Sequence, residues 1–322
     1  MVLTKNKKTL SIRPQTLKDY IGQASIKKTL GYLLDASKIR KEALGHLLFY
    51  GQAGTGKTTI ANIIGNELKR DVKTCSGATI TKPSEIVAIF KDIKKGGVLF
   101  IDEIHRLPRN IEEELYPAME DFKLDVFKGS DEEDDLKAVT INLPKFTMIG
   151  ATTRLGLLTA PLRNRFRNTF KIEDYTLSEM ETIIKRSAYR LKIKIDKGAL
   201  NLIAKRSRYI PRIANNLLLN TFDYATVKKA KKVSYEIANI TLKDLKIDDL
   251  GLTEPDRKFL KIVAEKSKTR PIGVKSIAQV LNEEVDIVEE IYEPYLLQLG
   301  FIDRMVNGRI ITKKGLEYLK KK

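Results

Sequence analysis

Short apolar runs and helical repeats alternate along the first half of the chain. Leu47-Leu48-Phe49-Tyr50, Val98-Leu99-Phe100-Ile101 and Phe146-Thr147-Met148-Ile149 are near-continuous apolar stretches of strand length. Strands buried on both faces of a parallel sheet read this way. Between them, Ile26, Leu30, Leu33 and Leu34, and then Ile60, Ile63, Ile64 and Leu68, repeat with helical spacing. Asp71–Gly77 reads as a further short strand, and Lys82-Pro83-Ser84-Glu85 opens a helix with Ser84 as its N-cap, running towards Lys94–Gly97. Ile111–Glu120 is a helix. Leu124–Phe127 and Ala138–Leu143 alternate as a hairpin whose tip is acidic, Asp131–Asp135. From Thr176 to Lys246 the pattern is helical only. It opens with a capping box, Thr176 to Glu179, and continues in helices over Gly198–Arg206, Pro211–Lys228 and Ser234–Lys246. The last segment reads as helices Glu254–Ser267, Gly273–Leu281 and Val285–Leu299, then a hairpin with an Asn-Gly turn at Asn307-Gly308. That order is a winged helix. The expected architecture is an α/β domain with a parallel sheet over residues 1–175, the first ten a loose tail. An all-α domain over 176–250 and a winged helix over 251–322 follow.

The first strand runs straight into Gly51-Gln52-Ala53-Gly54-Thr55-Gly56-Lys57-Thr58-Thr59, and a helix follows. This is the phosphate-binding loop pattern in the context it needs. Its glycines let backbone N–H groups turn inward onto phosphate oxygens, and the helix start adds its positive dipole end. Lys57 would reach the β- and γ-phosphates of ATP, and the Thr58 hydroxyl would ligate Mg²⁺. The strand at Val98 ends in Asp102 and Glu103. Ligands of open α/β sheets sit at the carboxyl ends of strands. Asp102 is therefore a second candidate for Mg²⁺, mostly through water, and Glu103 a candidate to orient and polarise the attacking water. Thr153 ends the next strand and can hydrogen-bond that water or the γ-phosphate. Arg163, Arg165 and Arg167 alternate shortly after. Such a cluster suits a transferring phosphoryl group, DNA phosphate or an acidic protein face.

Charge adds a partner to this picture. The chain of 322 residues carries a net charge of +18, and 18 basic against 6 acidic side chains fall between Arg163 and Lys232. Concentration of the excess in mid-chain points to a polyanionic partner rather than to lysine-rich composition alone. In the winged helix, the third helix carries Asp286, Glu289, Glu290 and Glu293. An acidic helix does not suit a major groove, so the wing, with Arg304 and Arg309 on opposite strands, is the expected DNA contact. A single cysteine, Cys75, excludes an internal disulfide, and with only His46 and His105 a histidine metal site is not expected. No apolar run is long enough to span a membrane. No signal-like stretch follows Met1, so the expected location is the cytoplasm.

Several motifs together resemble the RuvB family, the bacterial AAA+ motors that drive branch migration of Holliday junctions in recombination and repair. They are Arg13-Pro14 with Thr16-Leu17 and Asp19-Tyr20-Ile21-Gly22-Gln23, Phe100–Leu107, Leu115–Asp121, Ile149–Arg154, Pro211–Asn215 and Tyr292–Leu297. The resemblance implies hexameric rings around duplex DNA, a RuvA-like junction-binding partner docked on the acidic-tipped hairpin, and indirectly a RuvC-like resolvase. It makes Arg165 the finger that reaches a neighbour's nucleotide, Arg212 the sensor arginine of the helical lid, and Thr153 the first sensor. It places Ile12, Arg13, Gly51, Gly54, Thr55, Gly56, Thr59, Glu120, Asp121, Phe122 and Tyr175 in the nucleotide pocket. The chain departs from the family in three places. Gln52-Ala53 stands where two prolines are usual, the hairpin tip is more acidic and slightly longer, and Val306-Asn307 replaces a Pro-Arg pair in the wing. Backbone groups bind the phosphates, so the first departure predicts a less rigid loop that still binds nucleotide. The rival readings are a clamp-loader-like AAA+ ATPase and a nucleotide-switched DNA-binding regulator. The winged helix opposes the first, and a water-activating acid at 103 opposes the second.

Overall fold

Apolar side chains on successive residues of a strand must find cover on both faces of the sheet. The computed structural model, which describes residues 12–129, 136–267 and 270–321, shows that cover. Strands β1 (Leu47–Tyr50), β2 (Val72–Ser76) and β3 (Val98–Asp102) alternate with helices α1 (Ala24–Arg40), α2 (Lys57–Leu68) and α3 (Pro83–Lys91). Helix α4 (Arg109–Glu120), the hairpin β4 (Lys123–Gly129) and β5 (Leu136–Asn142), β6 (Thr147–Thr152), α5 (Ala160–Asn164) and β7 (Asn168–Lys171) follow. The five-stranded sheet has the order β2-β3-β6-β1-β7, with every pair parallel. Leu47 and Phe49 point into a layer with Leu30 and Leu34 of α1 and Ile60, Ile63 and Ile64 of α2. Leu48 points the other way, into a layer with Ile86 and Phe90 of α3 and Ile111 and Leu115 of α4. The carboxyl ends of β1, β3 and β6 thus lie side by side, which sets Gly51, Asp102 and Thr152 at one edge.

These elements form one compact unit that reaches Leu191, so it includes α6 (Leu177–Arg190), and also takes in Ile210–Arg212. The capping box at Thr176 forms as expected. The Glu179 carboxylate accepts from the Thr176 backbone N–H at 2.8 Å, and Thr176 Oγ1 accepts from the Glu179 N–H at 3.3 Å. The N-terminal tail and the tip Asp131–Asp135 lie outside the described residues. Helix α3 begins earlier than its serine suggests. Lys82 is the N-cap, Pro83 takes the first turn, and the Glu85 carboxylate accepts from the N–H groups of Thr81 and Lys82. Proline at the first position outranks a serine cap here, since it lacks the N–H a cap would serve.

The second unit holds Lys192–Tyr209 and Ile213 onward. It contains α7 (Lys197–Arg206), most of α8 (Pro211–Val227), α9 (Tyr235–Asp244), α10 (Glu254–Lys266) and α11 (Val274–Leu281). The expected third helix of the winged helix is split. Helix α12 (Val285–Ile287) passes through a π-helical turn, Val288–Tyr292, into α13 (Glu293–Gln298). Pro294 explains this, because it has no N–H to return to the carbonyl four residues back and its ring crowds that carbonyl. Strands β8 (Ile302–Met305) and β9 (Gly308–Ile311) form the wing before α14 (Lys313–Lys320). Met305 pairs with Gly308, so the loop between them is Val306-Asn307 rather than Asn-Gly. Glycine is needed at 308 for another reason, since a Cβ there would lie 2.3 Å from the Ile272 carbonyl oxygen. Among the described residues no helix is long and apolar enough to cross a membrane.

Candidate active site

A loop that wraps an anion needs its backbone N–H groups turned inward, which forces positive φ at several positions. Gly51, Gly54 and Gly56 have φ of 148°, 80° and 113°. At Gly56 a Cβ would sit 2.7 Å from the Tyr20 hydroxyl oxygen. Tyr20 and Tyr175 brace the loop from below. The Tyr175 hydroxyl donates to the Thr55 carbonyl at 2.9 Å and lies 3.1 Å from the Tyr20 hydroxyl. Burial raises both phenol pKa values, so both stay neutral hydrogen-bonding groups. The carbonyl of Gln52 collects Thr55 Oγ1 at 2.8 Å and Lys57 Nζ at 2.9 Å, and Lys57 also donates to Gly51 O at 2.8 Å. These bonds hold the loop where prolines are absent.

The Lys57 side chain is buried, and burial lowers its pKa. The carboxylates of Glu103 and Asp102 oppose that shift, while Arg212 adds to it. The four expected phosphate-site groups therefore feel one another. The Arg212 N–H also donates to Gly54 O at 3.3 Å. Thr58 Oγ1 lies 3.3 Å from Asp102 Oδ2. A hydroxyl and a carboxylate side by side are hard oxygen donors that fit Mg²⁺, with phosphate and water completing the shell.

Glu103, the residue after β3, has φ of 46°, a conformation uncommon for residues other than glycine. Its Oε2 accepts from Thr153 N at 3.2 Å and Thr153 Oγ1 at 3.0 Å. The Nδ1 of buried His105 lies 3.3 Å from the same oxygen and 2.9 Å from Thr152 Oγ1. Sequence reasoning singled out neither Tyr20 nor His105 for a role at this site. Both stand inside quoted motifs, which was the only available signal. Thr59 is half-buried on α2. Arg13 is tied to α6 through its carbonyl, which accepts from Arg190 at 2.6 Å, and Ile12 beside it is partly buried.

A second group stands apart from these contacts. Arg165 donates to Glu120 Oε2 at 3.3 Å and to Pro161 O at 2.9 Å, and its guanidinium lies 4.0 Å from the Tyr116 ring centroid. Asp121 caps α4, and the Phe122 ring packs against His46 and Phe146. Glu120 and Arg165 are thus paired with each other, and Asp121 and Phe122 follow Glu120 at the end of α4.

The wing corrects one expectation. Arg309 is not available to DNA: its side chain is 7% exposed and locked to the acidic helix. Its Nε donates to Glu293 Oε1 at 2.5 Å, and its Nη2 to Glu293 Oε2 at 3.0 Å and Glu289 Oε1 at 2.9 Å. Burial works against its charge, but the two glutamates raise its pKa overall. Arg304 keeps an exposed guanidinium, 3.2 Å from Glu289. The Arg309→Met variant strands the buried Glu293 carboxylate and is expected to lose about 3 kcal/mol of stability. Arg304→Ala should lose about 0.5 kcal/mol. Urea denaturation of the full chain measures both, and equal small losses would show that Glu293 is not left uncompensated.

Three family models match consecutive stretches. The Holliday junction DNA helicase RuvB P-loop domain matches residues 12–172, the RuvB AAA lid domain 175–248 and the RuvB C-terminal winged helix domain 249–320. Among solved structures, the Thermotoga maritima RuvB Holliday junction branch migration motor is 43% identical. The match covers 96% of this chain and 98% of that one, with a TM-score of 0.86. Two point-mutant structures of Thermotoga maritima RuvB match over the same shares at the same identity, with TM-scores of 0.87 and 0.88.

Proposed function

The chain belongs to the RuvB family, and from that premise we propose how it turns ATP hydrolysis into movement of a DNA junction. It is a P-loop ATPase of the branch-migration motor family, with a RuvB-type lid and winged helix; the clamp-loader and regulator readings fall away. The observation that carries the chemistry is the Glu103–Thr153 contact at adjacent strand ends, beside Lys57 and Asp102. A water oxygen bonds to the γ-phosphorus as the bond to the bridging oxygen breaks. ADP leaves with the electron pair, and the water's proton passes to the Glu103 carboxylate. Lys57 and the loop N–H groups hold the phosphates. Thr58 and Asp102 would hold Mg²⁺, which when bound would neutralise phosphate charge. Arg165 of a neighbouring subunit spreads the charge of the transferring group. Arg212 sits in the first turn of α8, so a change felt at the phosphates enters a rigid helix of the lid.

In this reading the subunits form a hexameric ring around duplex DNA in the cytoplasm. The β4–β5 hairpin meets a RuvA-like protein, and a RuvC-like resolvase acts on the same junction. Arg304 and the exposed basic side chains between Arg163 and Lys232, other than those given to ATP, meet phosphate, so binding is expected to be indifferent to base sequence and sensitive to salt. The test is migration of a synthetic four-way junction by the full chain. ATP should drive it, a RuvA-type protein should speed it, and a non-hydrolysable analogue should stop it. ATP turnover without junction movement in the presence of that partner would defeat the reading.

A further inference from the structure

The hydrogen bonds around Glu103 use one of its oxygens and spare the other. Oε2 faces Thr153 N, Thr153 Oγ1 and His105 Nδ1, at 3.2, 3.0 and 3.3 Å. The His105 ring is 5% exposed, so no bulk water competes for that nitrogen. Its tautomer follows from what surrounds it. A bare Nδ1 would bring its lone pair within 3.3 Å of a carboxylate oxygen, which is repulsive. With a proton on Nδ1, the ring donates to Thr152 Oγ1, 2.9 Å away, and sets the positive edge of its N–H 3.3 Å from Oε2. Thr152 Oγ1 in turn accepts from the Arg154 N–H at 2.9 Å, so the end of β6 fixes the imidazole as well as the carboxylate.

We propose that His105 is a positioning residue for ATP hydrolysis: held on Thr152 Oγ1, its Nδ1–H lies 3.3 Å from Glu103 Oε2 and attracts that oxygen to the end of β6, where Thr153 holds it, leaving Oε1 to take the proton of the attacking water. This rests on the reading of Glu103 as the water-activating carboxylate. The backbone of Glu103 is held in the left-handed region, so its side chain depends on such contacts to stay aimed. A carboxylate that swings by about 1 Å can lose about a hundredfold in rate.

The test uses the full chain and side chains that place a nitrogen at one ring position or the other. Asparagine puts its amide nitrogen where Nδ1 stands, and glutamine where Nε2 stands. His105→Gln and His105→Ala should lower kcat for ATP about ten- to a hundredfold, with Kd for a non-hydrolysable ATP analogue within about twofold. His105→Asn should restore at least half of the rate. In a Glu103→Gln background, His105→Gln should cause no further fall in single-turnover rate, because the two act through one oxygen. Wild-type kcat in His105→Gln overturns the proposal, as does equal damage from the Asn and Gln variants or an additive loss in the double variant. Should the alanine variant fail to fold, the two amides still decide. Wild-type turnover in Glu103→Gln alone would instead remove the reading beneath it, whatever His105 does.

Discussion

Replacing Glu103 by glutamine is expected to cut ATP turnover about a thousandfold while nucleotide affinity changes by about threefold or less. The substitution is nearly isosteric. Its amide oxygen can still accept from Thr153 N and Oγ1, the donors that now hold Oε2 at 3.2 and 3.0 Å, so the site keeps its shape. What is lost is the negative charge and the basic oxygen. In the proposed mechanism neither is a phosphate ligand, because the loop N–H groups and Lys57 meet the phosphates. The small change in affinity has a sign. Glu103 is the largest of the charges favouring the Lys57 ammonium, but it also repels the polyphosphate, so removing it should tighten binding slightly. Measuring turnover and analogue binding on the same preparation separates the two. Turnover near the wild-type rate would end the role given to Glu103, and loss of binding together with turnover would place it among the phosphate ligands.

The phosphate loop and the strands around it were legible because their signals are local. A strand, a glycine loop and a helix start lie within residues 47–68, and a strand buried on both faces announces itself by an unbroken apolar run. The contacts that complete the site are not local. Tyr20 reaches Gly56 and Thr55, and His105 reaches Thr152. Such pairs exist only once the sheet order β2-β3-β6-β1-β7 is known, and nothing in spacing encodes them. The misplaced Arg309 is a different kind of failure. Its charge is visible in the sequence, but Glu289 and Glu293 enter that reading only as acids that oppose DNA, not as its counter-charges. Glu289 and Glu293 stand four apart, on one helix face, and that face covers the wing. The same two acids that kept the helix out of a DNA groove also occupy one of the two arginines expected to reach it. The start of α3 was missed through ranking of cues, since a serine was preferred over a proline that suits the first turn.

Mixing two dead variants is expected to revive ATP hydrolysis. Arg165→Ala should lose about a thousandfold or more, and Lys57→Ala should lose nucleotide binding. In one subunit Arg165 spends its contacts on Glu120, Pro161 and Tyr116, none of which belongs to the phosphate site. Under the proposed mechanism its guanidinium serves a nucleotide held by another chain. In a ring built head to tail, a site needs an intact loop from one subunit and an intact Arg165 from the next. An Arg165→Ala subunit followed by a Lys57→Ala subunit supplies both. Random mixing at equal amounts makes about a quarter of the interfaces complete, so turnover should rise to about a quarter of the wild-type rate if sites fire independently, and lower if they must fire in sequence. The ratio needed for the maximum discriminates further. Action in trans gives a peak near equal amounts, whereas carry-over of wild-type protein gives a straight line between the two pure variants. A mixture as inactive as its parents, in samples shown by light scattering to form mixed rings, would leave Arg165 as an anchor between α4 and α5 and nothing more.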